Sequence, residues 1–165
     1  KKGLCGDSNS ISPMYLQKPQ AERQKDGDDT LYINEISKSD IEEIKNNYEQ
    51  FPNIWDCKTF IQDTQNSKYI VAKVNNETVG FIGIKSVFDE VEIMNIVTRI
   101  DKRNKGIGSS LLSYVIRKIP AEKINLEVNE KNEIAKNLYL KFGFEQVGMR
   151  KKYYNNIDNA ILMSL

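Results

Sequence analysis

From residue 31 onward the apolar positions fall into short runs whose spacing switches between strand and helix periods. Leu31-Tyr32-Ile33-Asn34-Glu35-Ile36 predicts a short strand. Ser39 with Glu42 three residues later is a capping box, and Ile41, Ile44 and Tyr48 follow at helical spacing until Phe51-Pro52. A shorter helix is predicted over Asp56 to Thr64. Lys68 to Val74 and Thr78 to Lys85 are β-branched runs around Asn75-Asn76, a hairpin signal, and Glu90 to Val97 is a further strand. A strongly periodic helix carries Ile107, Leu111, Leu112, Val115, Ile116 and Ile119 and stops at Pro120. Lys123 to Val128 predicts a strand. Asn132 caps a helix bearing Ile134, Ala135, Leu138 and Phe142, and Gly143 sits where a helix-terminating glycine belongs. Phe144 to Arg150 and Asn159 to Leu165 predict a last strand pair. The order β-α-α-β-β-β-α-β-α-β-β predicts an α/β (α+β) single domain with a mixed sheet.

Residues 1–30 break this pattern, with few large apolar residues and no sustained period. They read as a polar N-terminal extension, either a tail without chemistry or a segment that docks elsewhere, ahead of a folded domain over 31–165. No apolar run follows Lys1-Lys2, so a secretory signal is not expected.

Composition narrows the chemistry. The chain has 165 residues, one domain's worth, with 24 Lys+Arg against 23 Asp+Glu for a net charge of +1. That balance gives no reason to expect direct nucleic-acid or membrane contact. There are 0 histidines, which removes Ser-His-Asp and Cys-His catalysis and imidazole-ligated zinc. Proton transfer falls to carboxylate, Tyr, Cys, Lys or water. Cys5 and Cys57 make no metal-ligand spacing, so no metal is expected, and both read as free thiols of a reducing cytoplasm, with a disulfide between them, which only geometry decides, as the alternative.

The loop Arg103-Asn104-Lys105-Gly106-Ile107-Gly108 opens the strongest helix. Glycines let backbone N–H groups converge, and a helix start adds partial positive charge. The amides from Asn104 to Ser109 suit a pyrophosphate, with Arg103 or Lys105 adding charge. The loop lacks the Gly-Lys-Ser/Thr ending of a P-loop and the third glycine of a dinucleotide fingerprint. A turn that holds no ligand is the alternative.

Three features in order, Asn95-Ile96-Val97 with this loop, Leu126-Glu127-Val128, and Asn137-Leu138-Tyr139-x-x-Phe142-Gly143-Phe144, resemble the GNAT family of acetyl-CoA-dependent N-acetyltransferases. The likeness runs from about Leu31 to Leu165. It implies a mostly antiparallel central sheet flanked by helices, and acetyl-CoA as cosubstrate. It further implies that Ile96, Val97 and Thr98 lie on a strand that splays from its neighbour and meet the pantetheine arm. Arg103, Asn104, Lys105, Gly106, Ile107, Gly108 and Ser109 would bind the pyrophosphate, and Asn132 would touch the cofactor on its far side.

Within the family the sequence resembles the RimI-type enzymes, which acetylate the N-terminal alanine of a small-subunit ribosomal protein. Gly148-Met149-Arg150-Lys151-Lys152-Tyr153-Tyr154, Asp158-Asn159-Ala160-Ile161-Leu162-Met163 and the Phe51-Pro52 and Trp55 element carry that likeness. Arg99-Ile100 stands where the pattern has Asp-Pro, and Asn159 splits its Asp-Ala pair. The implied partner is a protein or peptide N-terminus, in the cytoplasm. A GNAT enzyme for small amines and a non-catalytic acetyl-CoA-binding module are the competing readings.

The amine must be neutral to attack. An α-amino group near pKa 7.7–8.0 is roughly a tenth neutral at pH 7, whereas a lysine near about 10.4 is neutral only a few times in ten thousand. An N-terminal acceptor therefore needs modest help from a base. Glu127, in a partly buried setting, suits that task directly or through a water. A solvent-facing strand carboxylate is its plain alternative. Tyr139 suits the role of acid toward the leaving thiolate, and a packed helix aromatic beside Leu138 and Phe142 is its alternative. Tyr153 and Tyr154 would wall the acceptor or decorate a loop, and Arg150-Lys151-Lys152 read as a solvated face.

Overall fold

A computed structural model describes residues 29–52 and 55–165. The reading of residues 1–30 as an extension thus lies almost wholly outside the described residues. The elements are β1 (Leu31–Glu35), α1 (Lys38–Asn46), α2 (Cys57–Asp63), β2 (Lys68–Val74), β3 (Glu77–Val87), β4 (Glu90–Thr98), α3 (Ile107–Lys118), β5 (Lys123–Asn129), α4 (Glu133–Lys141), β6 (Glu145–Tyr154) and β7 (Asp158–Ser164). This is the order the periodicity predicts. The strands hydrogen-bond as a seven-stranded sheet, β1-β2-β3-β4-β5-β7-β6. β1–β2, β5–β7 and β6–β7 are antiparallel, whereas β4–β5 is parallel, joined through α3. Among the described residues, no helix is long and apolar enough to cross a membrane.

Local chemistry explains the element ends, with corrections to the sequence reading. The first helix is capped by Ser37 with Asp40, not by Ser39 with Glu42. Both pairs have the right spacing, and the one whose carboxylate is buried wins. Asn75 and Asn76 take φ 51° and 65°, the left-handed pair that a two-residue hairpin turn requires. Asn155 and Asn156 repeat this at φ 52° and 56°, so β6 runs on to Tyr154 rather than ending at Arg150. Cys57 is disulfide-bonded, which overturns its reading as a free thiol. Bond formation depends on a distance that local context does not report. Cys5 lies outside the described residues, and the thiol argument for a reducing compartment falls away.

The chain divides into two compact units, one made of residues up to Gly83 with Asn95–Ile119, the other of Ile84–Met94 with Pro120–Leu165. The first unit is held by Ile44, Phe51, Phe60, Tyr69, Val71, Phe81 and Val97. Phe60 lies 5.0 Å from Phe81 and meets Tyr69 edge-on at 5.4 Å. A polar thread crosses this core. Tyr69 donates to Asp63 at 2.7 Å, Asn95 donates to the Tyr69 oxygen at 3.4 Å, and the Gly83 amide donates to Asn95 at 3.1 Å. Burial, reinforced by Asp63, pushes the Tyr69 phenol far above its ordinary range, so it stays a donor. The second unit buries Ile124, Leu126 and Val128 of β5 with Phe144, Ala160 and Met163. Alternation then puts Asn125, Glu127 and Asn129 on the other, half-exposed face of β5.

A Cβ at Gly83 would stand 2.7 Å from the Tyr69 ring and 2.8 Å from the Asn95 oxygen. Gly83→Ala is therefore expected to lower stability by about 1–3 kcal/mol in urea unfolding. Asp40 generates a second prediction. Burial works against its carboxylate, but bonds from Lys73 at 2.5 Å and from the Ser37 hydroxyl and amide outweigh it, so its pKa lies below the ordinary value. A lowered folded pKa contributes stability above the unfolded pKa of about 4 and loses it as pH falls through that range. Asp40→Asn should cost about 1.5–3 kcal/mol at neutral pH and flatten the acid side of the stability curve.

Candidate active site

The start of α3 is built to leave amides free. Gly106 is its N-cap with φ 75° and ψ 14°, and no side chain caps it. The Ser110 amide and hydroxyl both return to the Gly106 carbonyl at 3.1 Å, so intrahelical bonding begins only at Ser110. The amides of Ile107, Gly108 and Ser109 are thus the orphan donors of a first turn. Ile107 buries its side chain in the core and pins the turn, while Arg103, Asn104, Lys105 and Gly106 are exposed. Asn104 is also left-handed, at φ 60°. The root of this loop is clamped by Arg99, the departure from Asp-Pro. Its guanidinium donates to Asp101 at 2.7 and 3.0 Å and to Glu77 at 3.1 Å, and the Ile100 amide bonds the Gln50 carbonyl at 2.9 Å. On β4, Ile96 and Thr98 are half-buried and Val97 is buried, so Val97 has only backbone to offer a ligand. The β4–β5 register runs from Glu90↔Lys123 to Ile93↔Leu126, while β4 continues to Thr98 and β5 to Asn129.

Glu127 belongs to the second unit. Its side chain is 21% exposed and lines a cleft of about 380 Å³ together with Glu92, Asn125, Val147, Arg150 and Leu162. Arg150 donates to its Oε1 at 2.9 Å. The basic cluster therefore does not read uniformly as a solvated face, because its first member reaches into the site. Sequence reasoning missed this residue. The missed Asn155-Asn156 turn signal would have extended β6 and brought Arg150 under scrutiny.

Tyr139 is buried on α4, with its ring 5.8 Å from Phe144. Burial, with a smaller push from the Tyr154 phenol, raises its pKa well above the ordinary tyrosine value. Tyr154 is raised as well, by burial first and then by the Glu127 carboxylate, with the neighbouring Tyr153 phenol adding to it. Tyr154 thus lies within electrostatic reach of both Glu127 and Tyr139. Tyr153 stands edge-on to Tyr154 at 5.1 Å and is about half exposed, on the strand rather than a loop. Asn132 caps α4, its side-chain oxygen accepting from the Ala135 amide at 3.1 Å. Among the described residues, no cluster of acidic or thiol side chains could hold a metal ion.

The family model described as the acetyltransferase (GNAT) family matches residues 31–144. The chain belongs to that family. The GNAT match includes Glu127 and Tyr139, while Arg150, Tyr153 and Tyr154 lie beyond its end. A ribosomal protein bS18-alanine N-acetyltransferase of Haemophilus influenzae is 32% identical over 113 residues, 63% of this chain and 77% of the relative. The enzyme of that name from Escherichia coli K12 is 30% identical over 119 residues, 67% of this chain and 80% of the relative. The crystal structure of the ribosomal-protein-S18-alanine N-acetyltransferase from Escherichia coli superposes with a TM-score of 0.75 at 25% identity, covering 82% of this chain and 93% of that one. The protein is a GNAT-type N-acetyltransferase. GNAT enzymes use acetyl-CoA.

Gly106 has a left-handed backbone that a side chain resists. Gly106→Ala should cost about 1–2 kcal/mol in urea unfolding, whereas Asn104→Gly, which removes a side chain from a similar conformation, should not destabilise.

Proposed function

We propose that residues 31–165 form an enzyme that transfers acetyl from acetyl-CoA to the N-terminal amino group of a protein, a small-subunit ribosomal protein beginning with alanine. The observation that carries this reading is the partly buried Glu127 carboxylate lining a cleft on the open face of β5. The relatives named for alanine N-acetyltransfer support the choice of acceptor.

The donor set at α3 fits a diphosphate. Orphan amides converge from Gly106 to Ser109, no side chain competes for them, and the exposed Arg103 and Lys105 add positive charge. Asn104 would join them, the backbone of Ile96 to Thr98 would hold the arm that carries the thioester, and Asn132 would touch the cosubstrate. When bound, acetyl-CoA supplies an activated acyl carbon. Glu127 takes the proton that the acceptor nitrogen sheds as the C–N bond forms, directly or through a water. Tyr139, kept protonated by burial, donates to the sulfur as the C–S bond breaks. Tyr153 and Tyr154 wall the acceptor. Holding both reactants at once makes a covalent enzyme intermediate unnecessary, and orientation supplies several kcal/mol of the barrier. A ribosomal acceptor places the reaction in the cytoplasm.

Steady-state acetylation of an alanine-initiated peptide, set against a panel of polyamines, amino acids and aminoglycosides, tests the acceptor. The peptide should be preferred, and preference for a free amine would refute the reading. Glu127→Gln should lower kcat/KM by about a hundredfold, the low end for a general base, because the acceptor is partly neutral already. Tyr139→Phe should lower it by roughly ten- to a hundredfold. Calorimetry should find acetyl-CoA binding unchanged in both and about tenfold weaker in Gly106→Ala. Wild-type turnover in both side-chain variants would remove the assigned roles.

A further inference from the structure

Arg150 and Tyr153 are three residues apart on β6, and in a regular strand they would project from opposite faces. Yet the Arg150 guanidinium lies over the Tyr153 ring, 5.4 Å from its centre. The strand is bulged between them. Arg150 pairs with Ala160 and Tyr154 with Asp158, so β6 uses four steps where β7 uses two. Lys152 takes a left-handed φ of 53° inside the bulge. Its amide, freed from the ladder, donates to the Asn159 side chain at 2.9 Å. Asn159 is itself fixed by Glu130, whose two carboxylate oxygens accept from its backbone and side-chain nitrogens, both at 2.9 Å. The residue that splits the Asp-Ala pair is therefore what holds the bulge. The bulge in turn holds Arg150 between an aromatic face and the Glu127 carboxylate.

We propose that Arg150 is a positioning residue for acetyl transfer: its guanidinium, braced on Tyr153, holds Glu127 by Oε1 and leaves Oε2 for the acceptor nitrogen or its relay water. This inference rests on the reading of Glu127 as the base. A glutamate side chain has three rotatable bonds, and a base that samples several rotamers is productive only part of the time. Arg150 remains 55% exposed, so it touches Glu127 at the cleft without being part of the buried core. The planar guanidinium can stack and donate at once, which an ammonium does less well.

The test is steady-state kinetics with an alanine-initiated peptide on wild type, Arg150→Gln, Arg150→Lys, Glu127→Gln and the Arg150→Gln/Glu127→Gln double variant. Arg150→Gln should lower kcat about tenfold with the acetyl-CoA KM and the urea midpoint unchanged, and Arg150→Lys should recover part of the loss. In the Glu127→Gln background the Arg150 substitution should cost nothing more, because a group that acts through Glu127 has nothing left to position. Wild-type or faster turnover in Arg150→Gln would overturn the proposal, and so would the same tenfold loss in the Glu127→Gln background. If Arg150→Gln fails to fold, Arg150→Lys carries the same cycle, with a smaller loss that must again vanish without Glu127. A wild-type protein inert toward the peptide refutes the proposed function first and takes this inference with it.

Discussion

The first turn of a helix has amides that nothing inside the helix accepts, and in this chain those of α3 are left without a side-chain cap. Most helices settle the account with a side chain, as Ser37, Asp56 and Asn132 do for α1, α2 and α4. Gly106 cannot, having no side chain at all. The cost of leaving donors unpaired is tolerable because they are at the surface and water can serve them. What makes the arrangement specific is the rigidity around it. Ile107 is buried beneath the turn and Arg99 ties the loop's root to Asp101 and Glu77. A loop braced in this way has its ordering entropy charged to folding.

The second unit faces the opposite problem, keeping a charged group near apolar neighbours. Leu126 and Val128 are buried on one face of β5, and Glu127 between them emerges on the other. There it meets Arg150 and the field of Tyr154. The Tyr139 and Tyr154 phenols are shifted upward by burial before anything else, which keeps them donors.

Much of this was legible in the sequence. Two-residue alternation located the strands, the glycine spacing located the loop, and Asn75-Asn76 located a turn whose φ values are the left-handed ones asparagine tolerates. The failures have physical causes. Ser37 and Ser39 each precede an acidic residue by three, so spacing could not choose the cap; burial of Asp40 did. β6 is exposed along most of its length, so its side chains show no inside-outside contrast and its end was misplaced. Arg150 was misjudged because it meets Glu127 only through the order β5-β7-β6, a fact of topology rather than of neighbouring residues. Cys57 was misjudged because a covalent bond depends on proximity that composition does not carry.

β6 is the last strand of the sheet, with one side of its ladder unclaimed by any strand among the described residues. A straight, apolar border of that kind is a template on which a foreign polypeptide can polymerise. Here the border is kinked at Lys152 and studded with Arg150, Lys151 and Lys152. The sheet therefore ends in an outer margin to which an extended foreign chain cannot readily zip.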